Sequence, residues 1–122
     1  DVASKKATKI NKQALNTILG TSYTWVDDNT IIYKAATQPA ANAPKRPITP
    51  KGPTIQQNLG KAAPSPTYQD LIKSPFDEQL FEFYANGQLV QNKNGVETNL
   101  GKSGIVSTFS LSPDKKYMMV RY

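Results

Sequence analysis

Seven of the nine prolines in this 122-residue chain fall in one stretch: Pro39, Pro44, Pro47, Pro50, Pro53, Pro64 and Pro66. Proline has no amide N–H and fixes φ, so neither a regular sheet nor a regular helix can run through residues 36 to about 66. The stretch reads as an insertion in extended, polyproline-like geometry. A segment of this length without regular structure inside a compact domain is either functional or disordered. Any core must therefore come from residues 1 to about 35 and from residue 67 onward.

Both flanks carry β signals. Tyr23-Thr24-Trp25-Val26 and Thr30-Ile31-Ile32-Tyr33 are β-branched and aromatic runs suited to a pleated, half-buried surface. Asp27-Asp28-Asn29 between them is turn chemistry, since Asx side chains cap their own backbone. A second hairpin joins Leu89-Val90-Gln91 to Val96-Glu97-Thr98 through Asn94-Gly95, the pair that a type I′ turn favours. A third joins Ile105–Phe109 to Tyr117–Val120 across Ser112-Pro113-Asp114-Lys115-Lys116. Lys6–Ile10 is a further short strand on composition. Six or seven short strands with turn signals between them point to a sandwich, a barrel or a propeller.

A helix is expected between the first two hairpins. Ser74 is a natural N-cap, Pro75 suits the first helical position, and Asp77 completes a capping-box-like pattern. Phe76, Leu80 and Phe83-Tyr84 recur at helical spacing, a stripe best read as packing against the core. Asn86-Gly87 is a stop signal, and a shorter helix is expected from Thr67. The helical segment thus covers about 67–86.

Chemistry is bounded by what is missing. With no histidine and no cysteine in the sequence, a Ser-His-Asp or Cys-His nucleophile cannot be assembled from this chain. A zinc site of nitrogen and sulfur ligands is excluded with it. Phosphate-cradling glycine motifs and apolar runs of membrane-spanning length are absent from the sequence. No cofactor and no catalytic residue is therefore assigned. Opening on Asp1 rather than Met suggests a processed or trimmed chain. The net charge of +6 is scattered over Lys5, Lys6, Lys9 and Lys12, over Lys45, Arg46 and Lys51, and over Lys115 and Lys116. That distribution reads as solvated surface rather than a nucleic-acid patch.

Ser112-Pro113-Asp114-Lys115-Lys116-Tyr117 resembles the S-P-D-G-K turn between the first two strands of many propeller blades, with Lys115 where glycine usually supplies the left-handed residue. Four longer runs follow one another in order: Trp25–Ile32, Lys51–Gln56, Thr67–Ile72 and Asp77–Tyr84. Together they resemble the propeller of the glutamyl endopeptidase-like branch of the prolyl oligopeptidase family, serine peptidases of plant chloroplasts and of bacteria, where they are often labelled dipeptidyl aminopeptidases. The resemblance runs from about Leu15 to the end.

It implies an incomplete, mainly β propeller of about one to two blades, with one or two short helices in an insertion. The parent would be much longer, and its α/β-hydrolase domain, absent here, would hold the catalytic triad. The propeller would scaffold that domain and gate access of peptide substrates. If the branch prefers acidic side chains, Lys45, Arg46 and Lys51 are the candidate substrate contacts. A cut propeller leaves unpaired strand edges, so self-association is expected. Export to a periplasm would follow only for a bacterial source.

Two other readings stay open. A stand-alone basic β-domain could bind peptide, glycan or nucleic acid through edge strands and the aromatics Tyr23, Trp25 and Tyr33, some of which alternation must turn inward. An exported structural domain using the proline-rich segment as a spacer is the other.

Overall fold

A computed structural model of the chain describes residues 4–48, 52, 60 and 72–122. Among them are six strands and one α-helix: β1 (Tyr23–Asp27), β2 (Thr30–Ala36), α1 (Pro75–Ala85), β3 (Asn86–Lys93), β4 (Val96–Ile105), β5 (Thr108–Leu111) and β6 (Met118–Arg121). Strands β1 to β4 form one antiparallel sheet in the order β1-β2-β3-β4, and β5 and β6 pair as a separate two-stranded sheet.

The turns form for the reasons their residues suggest. At the β1–β2 junction the Asn29 N–H donates to Asp27 Oδ1 at 2.8 Å, an Asx bond closing the loop. Asn94 and Gly95 both have positive φ, 51° and 84°, as a type I′ turn requires, and the Gly95 N–H donates to Asn92 Oδ1. Between β5 and β6, Lys115 sits at φ 59° in the glycine position of that turn. A lysine in the left-handed region costs about 1–2 kcal/mol. Its ammonium offsets part of that cost by donating to Val26 O of β1.

Strand β2 is buried along nearly its whole length. One face of the sheet packs against the β5–β6 hairpin. Ile32, Leu89, Val106 and Phe109 form the buried cluster between the layers, with Val26, Leu100, Leu111, Met118 and Val120 packed around it. At about 1.5–3 kcal/mol for each fully buried large side chain, this cluster is the main source of stability. The opposite, open face holds Tyr33, Ala35 and Val90.

Lys34 is the unexpected member of the interior. Its side chain is completely buried on the hairpin face, and its ammonium donates to Leu19 O and, at 3.1 Å, to Val106 O. Burial pushes its pKa below the usual lysine value.

Four expectations change. Residues 6–10 form no strand. The stretch before β1 is irregular and touches the sheet through the isolated Leu15–Ala35 bridge. Ile105 ends β4 instead of opening the third hairpin, whose first strand starts at Thr108. Asn86-Gly87 does not stop α1 in a left-handed cap: Asn86 is extended (φ −66°, ψ 126°), and the helix passes directly into β3. Gly87 is needed for space instead, since a Cβ there would lie 2.8 Å from Lys34 Cγ. The stripe of α1 is only half-buried; its fully buried residue is Ala85.

The start of α1 is as expected. Ser74 accepts from the Asp77 N–H at 3.3 Å, and its hydroxyl donates to Asp77 Oδ2 at 2.8 Å. In the insertion, a 3-10 turn at Ala40–Asn42 is the regular element among the described residues. The helix expected from Thr67 lies outside them. No helix among the described residues is long and apolar enough to cross a membrane.

Candidate functional site

The open face is built by strand alternation. Tyr23 and Trp25 project from the same side of β1, and register sets Tyr23 opposite Tyr33 and Trp25 opposite Ile31. Pairing then continues Tyr33 to Val90 and Ile31 to Asn92 on β3, and Asn92 to Glu97 on β4. Side chains directly opposite on antiparallel strands sit close enough to touch. Two rows result, an aromatic-aliphatic one and one that turns polar toward β4.

Residues 9–13 cross this face as a strap, and residues 14–16 then join the edge of β2. Asn92 Nδ2 donates to Ile10 O at 2.9 Å, and the Lys12 N–H donates to Glu97 Oε1 at 2.9 Å. Further on, the Asn16 N–H donates to Lys34 O and the Ala36 N–H to Ala14 O, both at 2.8 Å. The buried Asn16 amide donates to Tyr84 O and Asn86 O at the exit of α1. The segment is thus fixed by side-chain amides, one carboxylate and two backbone bonds to β2.

Beneath it, Tyr33 OH donates to the same Glu97 Oε1 at 2.8 Å. Tyr33 is 1% exposed. Burial first, then the hydrogen bond and charge of Glu97, push its phenol up to about 12. Burial also pushes the Glu97 carboxyl up, but the bonds from the Lys12 N–H and Tyr33 OH outweigh it and hold the group below its ordinary value.

Between strap and β1 lies a cleft of about 280 Å³ lined by Ile10, Leu15, Tyr23, Trp25, Ile31 and Tyr33, with the Asn11 and Asn92 amides at its edge. A second hollow of about 370 Å³ continues it past Trp25 to Asp28, Asn29 and Asn94 at the turn ends. Trp25 and Tyr23 keep 54% and 52% of their surface exposed, while Tyr33 forms the floor. The surface offers aromatic and aliphatic contact with a few amides. It holds no paired acid and base, and no metal-binding cluster of acidic residues occurs among the described residues.

Of the candidate substrate contacts, Lys45 and Arg46 lie elsewhere. Arg46 Nη2 pairs with Asp77 Oδ1 at 3.0 Å and its guanidinium lies 5.1 Å above the Phe76 ring, so its charge meets the first turn of α1. The Ser74 hydroxyl, the Lys73 N–H and the Arg46 charge hold Asp77 below the usual carboxylate range. Lys45 is exposed, neither Lys45 nor Arg46 lines the cleft, and Lys51 lies outside the described residues. Of the aromatics named in the sequence, Tyr23, Trp25 and Tyr33 are all brought to one face, with Tyr33 the one turned inward. Ile10, Leu15, Asn92 and Glu97 carried no local signal, because only β3–β4 register and the strap's path unite them.

Comparison with known proteins gives two relatives. The chain is 33% identical over 125 aligned residues to a protein of Oryza sativa subsp. japonica named probable glutamyl endopeptidase, chloroplastic. The alignment covers 98% of this chain and 13% of the relative. It is 32% identical over 101 residues to the Arabidopsis thaliana protein of the same name, covering 81% of this chain and 10% of the relative. The chain therefore spans roughly a tenth of the length of these relatives and is related to peptidase-named proteins over that part. No family model matches it, and no solved structure matches it.

Proposed function

We propose that this chain is a non-catalytic β-propeller portion of a larger serine-type peptidase of the prolyl oligopeptidase family, where it scaffolds the catalytic domain and gates peptide access. The observation that carries this reading is the alignment over 98% of the chain to one short part of a protein named as a glutamyl endopeptidase. The architecture is compatible with it. A four-stranded antiparallel sheet in sequential order is the size of one blade, and the hairpin that follows is stacked on its face. With no histidine in the sequence, any triad base must come from elsewhere in the parent. Lys45, Arg46 and Lys51 remain the candidates for meeting an acidic substrate side chain, and strand edges the route to self-association.

The aromatic cleft favours a second reading, a stand-alone binding module with Trp25 and Tyr23 as contacts. One experiment separates the two. An antibody to this chain captures its native form from source cells, and the capture is treated with a fluorophosphonate probe for active serine hydrolases. A labelled band several times heavier than 13.4 kDa is the expected result. An unlabelled band near that mass would overturn the peptidase reading and leave the binding module.

A further inference from the structure

We infer that the chain self-associates through the β4 edge of its four-stranded sheet. There β4 pairs antiparallel with β4 of a second copy, and Thr98 lies opposite the same residue of that copy across a two-fold axis. The inference rests on the self-association in the reading above and names its edge, its register and its partner.

The sheet has two edges, β1 and β4. An edge strand presents unpaired N–H and C=O groups, and proteins blunt it with short strands, bulges and lysines. On β1 all three devices are in place. The strand is five residues long, and its register shifts between Trp25 and Asp27. The carbonyl of Val26, the residue that the shift skips, accepts from the Lys115 ammonium. The left-handed backbone of Lys115 thus holds a charged cap on this edge.

On β4 one half is closed and the other open. Past Leu100 the pairing with β3 passes from Leu89–Leu100 to Gly87–Gly104, so residues 101–103 stand opposite Gln88 alone. Gly101 there has φ 64°, and Tyr122 OH donates to Lys102 O. From Val96 to Leu100 the ladder is regular. The two-residue Asn94-Gly95 turn makes Lys93 and Val96 a hydrogen-bonded pair. Alternation then turns the N–H and C=O of Val96, Thr98 and Leu100 toward β3 and those of Glu97 and Asn99 outward. Among the described residues nothing bonds to these outward groups.

Such a row fits an extended backbone, and the side chains select which one. Outward groups must meet outward groups, so the two-fold axis can pass residue 97, 98 or 99. Centring on Glu97 sets two carboxylates directly opposite, which is unfavourable. Centring on Asn99 drives Glu97 against Gly101 at the irregular stretch. Centring on Thr98 sets Glu97 opposite Asn99 at both ends, a carboxylate facing an amide, and these two hydrogen-bonded pairs exchange four backbone bonds. It also sets Thr98 against Thr98, a favourable cross-strand pair, and Val96 against Leu100 twice. Val96, 68% exposed in the single chain, gains an apolar neighbour. The strand is therefore complementary to itself, as a two-fold interface requires. The contact is short, so the dimer is weak and forms at high concentration.

The test is disulfide trapping and sedimentation of the 122-residue chain, which has no cysteine of its own. Thr98 is exposed and occupies a non-hydrogen-bonded pair in this register, where Cα atoms about 4.5 Å apart are within reach of a disulfide. Under mild oxidation Thr98→Cys should form a covalent dimer about tenfold faster than Asn99→Cys, which is out of register, or Tyr23→Cys on β1. Asn99→Pro removes an outward N–H and no bond to β3, a change that an edge strand tolerates. It should weaken the dimer about tenfold in sedimentation equilibrium and leave the urea midpoint nearly unchanged. A chain that stays monomeric at high micromolar concentration overturns the inference. So does trapping of Thr98→Cys no faster than of the other two cysteine variants, or dimerisation that survives Asn99→Pro. The fluorophosphonate capture decides the peptidase reading separately. A heavy labelled parent together with a monomeric chain overturns this inference alone, and an unlabelled 13.4 kDa band together with a trapped dimer overturns that reading alone.

Discussion

Replacing Tyr33 with phenylalanine should invert the stability order of the two proteins between neutral and strongly alkaline pH. At pH 8 the substitution removes the 2.8 Å bond from a buried hydroxyl to Glu97 Oε1. A hydrogen bond to a charged acceptor contributes about 1.5–3 kcal/mol. Glu97 is only half-buried and keeps its bond from the Lys12 N–H, so the low end applies, and the expected loss is about 1.5 kcal/mol. At high pH the sign changes. In the unfolded chain the phenol ionises near 10, whereas in the folded chain it is pushed up to about 12. Between those values the unfolded state sheds a proton that the folded state retains. Stability fully present below pH 10 is therefore lost as pH rises toward 12, by about 2.7 kcal/mol for two pH units at about 1.36 kcal/mol each. About half of that is gone by pH 11, where the two proteins should be equally stable, and above it the phenylalanine variant should be the more stable. Lys34 is present in both proteins, so its titration cancels in the difference. Urea unfolding followed by far-ultraviolet circular dichroism at pH 8, 10, 11 and 11.5 reads this out. A stability gap that stays constant from pH 8 to 11.5 would refute the reasoning, because it would mean the hydroxyl is not shielded by burial and Glu97.

Lys34→Met leaves Leu19 O and Val106 O without their buried donor and should cost about 2 kcal/mol by urea midpoint. The wild type should also gain stability as pH rises from the depressed Lys34 pKa toward 10.5, since the unfolded chain binds the extra proton there, and the variant should lack that gain. Phe109→Ala empties the space between the two sheets and should cost about 3–5 kcal/mol, with hydrogen exchange accelerated first in β5 and β6. Ser74→Ala removes the cap of α1 and should cost about 1 kcal/mol, localised to faster amide exchange at Asp77 and Glu78.

What the sequence disclosed was what is local. The turns at Asp27–Asn29 and Asn94-Gly95 and the cap at Ser74 are each set by a few adjacent side chains, and all three form. Even the mismatch at Lys115 was legible, because a turn pattern that wants glycine forces the left-handed region on whatever replaces it. Failures came where the deciding contact is distant in sequence. Gly87 looks like a helix stop until the Lys34 stem is seen against it from the neighbouring strand. Residues 6–10 have strand composition, but Ile10 O is met by the Asn92 side chain and the Lys12 N–H just beyond by Glu97, so the stretch lies as a strap and not in a ladder. Lys34 lies just past the Thr30–Tyr33 run and had no reading of its own. Its burial follows from β5–β6 closing over that face, which no property of β2 announces. Arg46 was noted for its charge, yet its partner Asp77 lies 31 residues away.

The pairing of Ala36 with Gly87 has a kinetic consequence. These residues end β2 and open β3, so the proline-rich insertion and α1 together are the loop of a single hairpin, about fifty residues long. The β1–β2, β3–β4 and β5–β6 hairpins each close over a few residues and should assemble in microseconds. The central β2–β3 ladder, which joins the first two, has to wait for the long loop to close. Loop-closure entropy falls by about 0.6 kcal/mol for each halving of length. Shortening the excursion from about fifty residues to about six therefore recovers about 2 kcal/mol of that cost. Most of the gain should appear as faster folding, with the two halves of the sheet meeting at the same register.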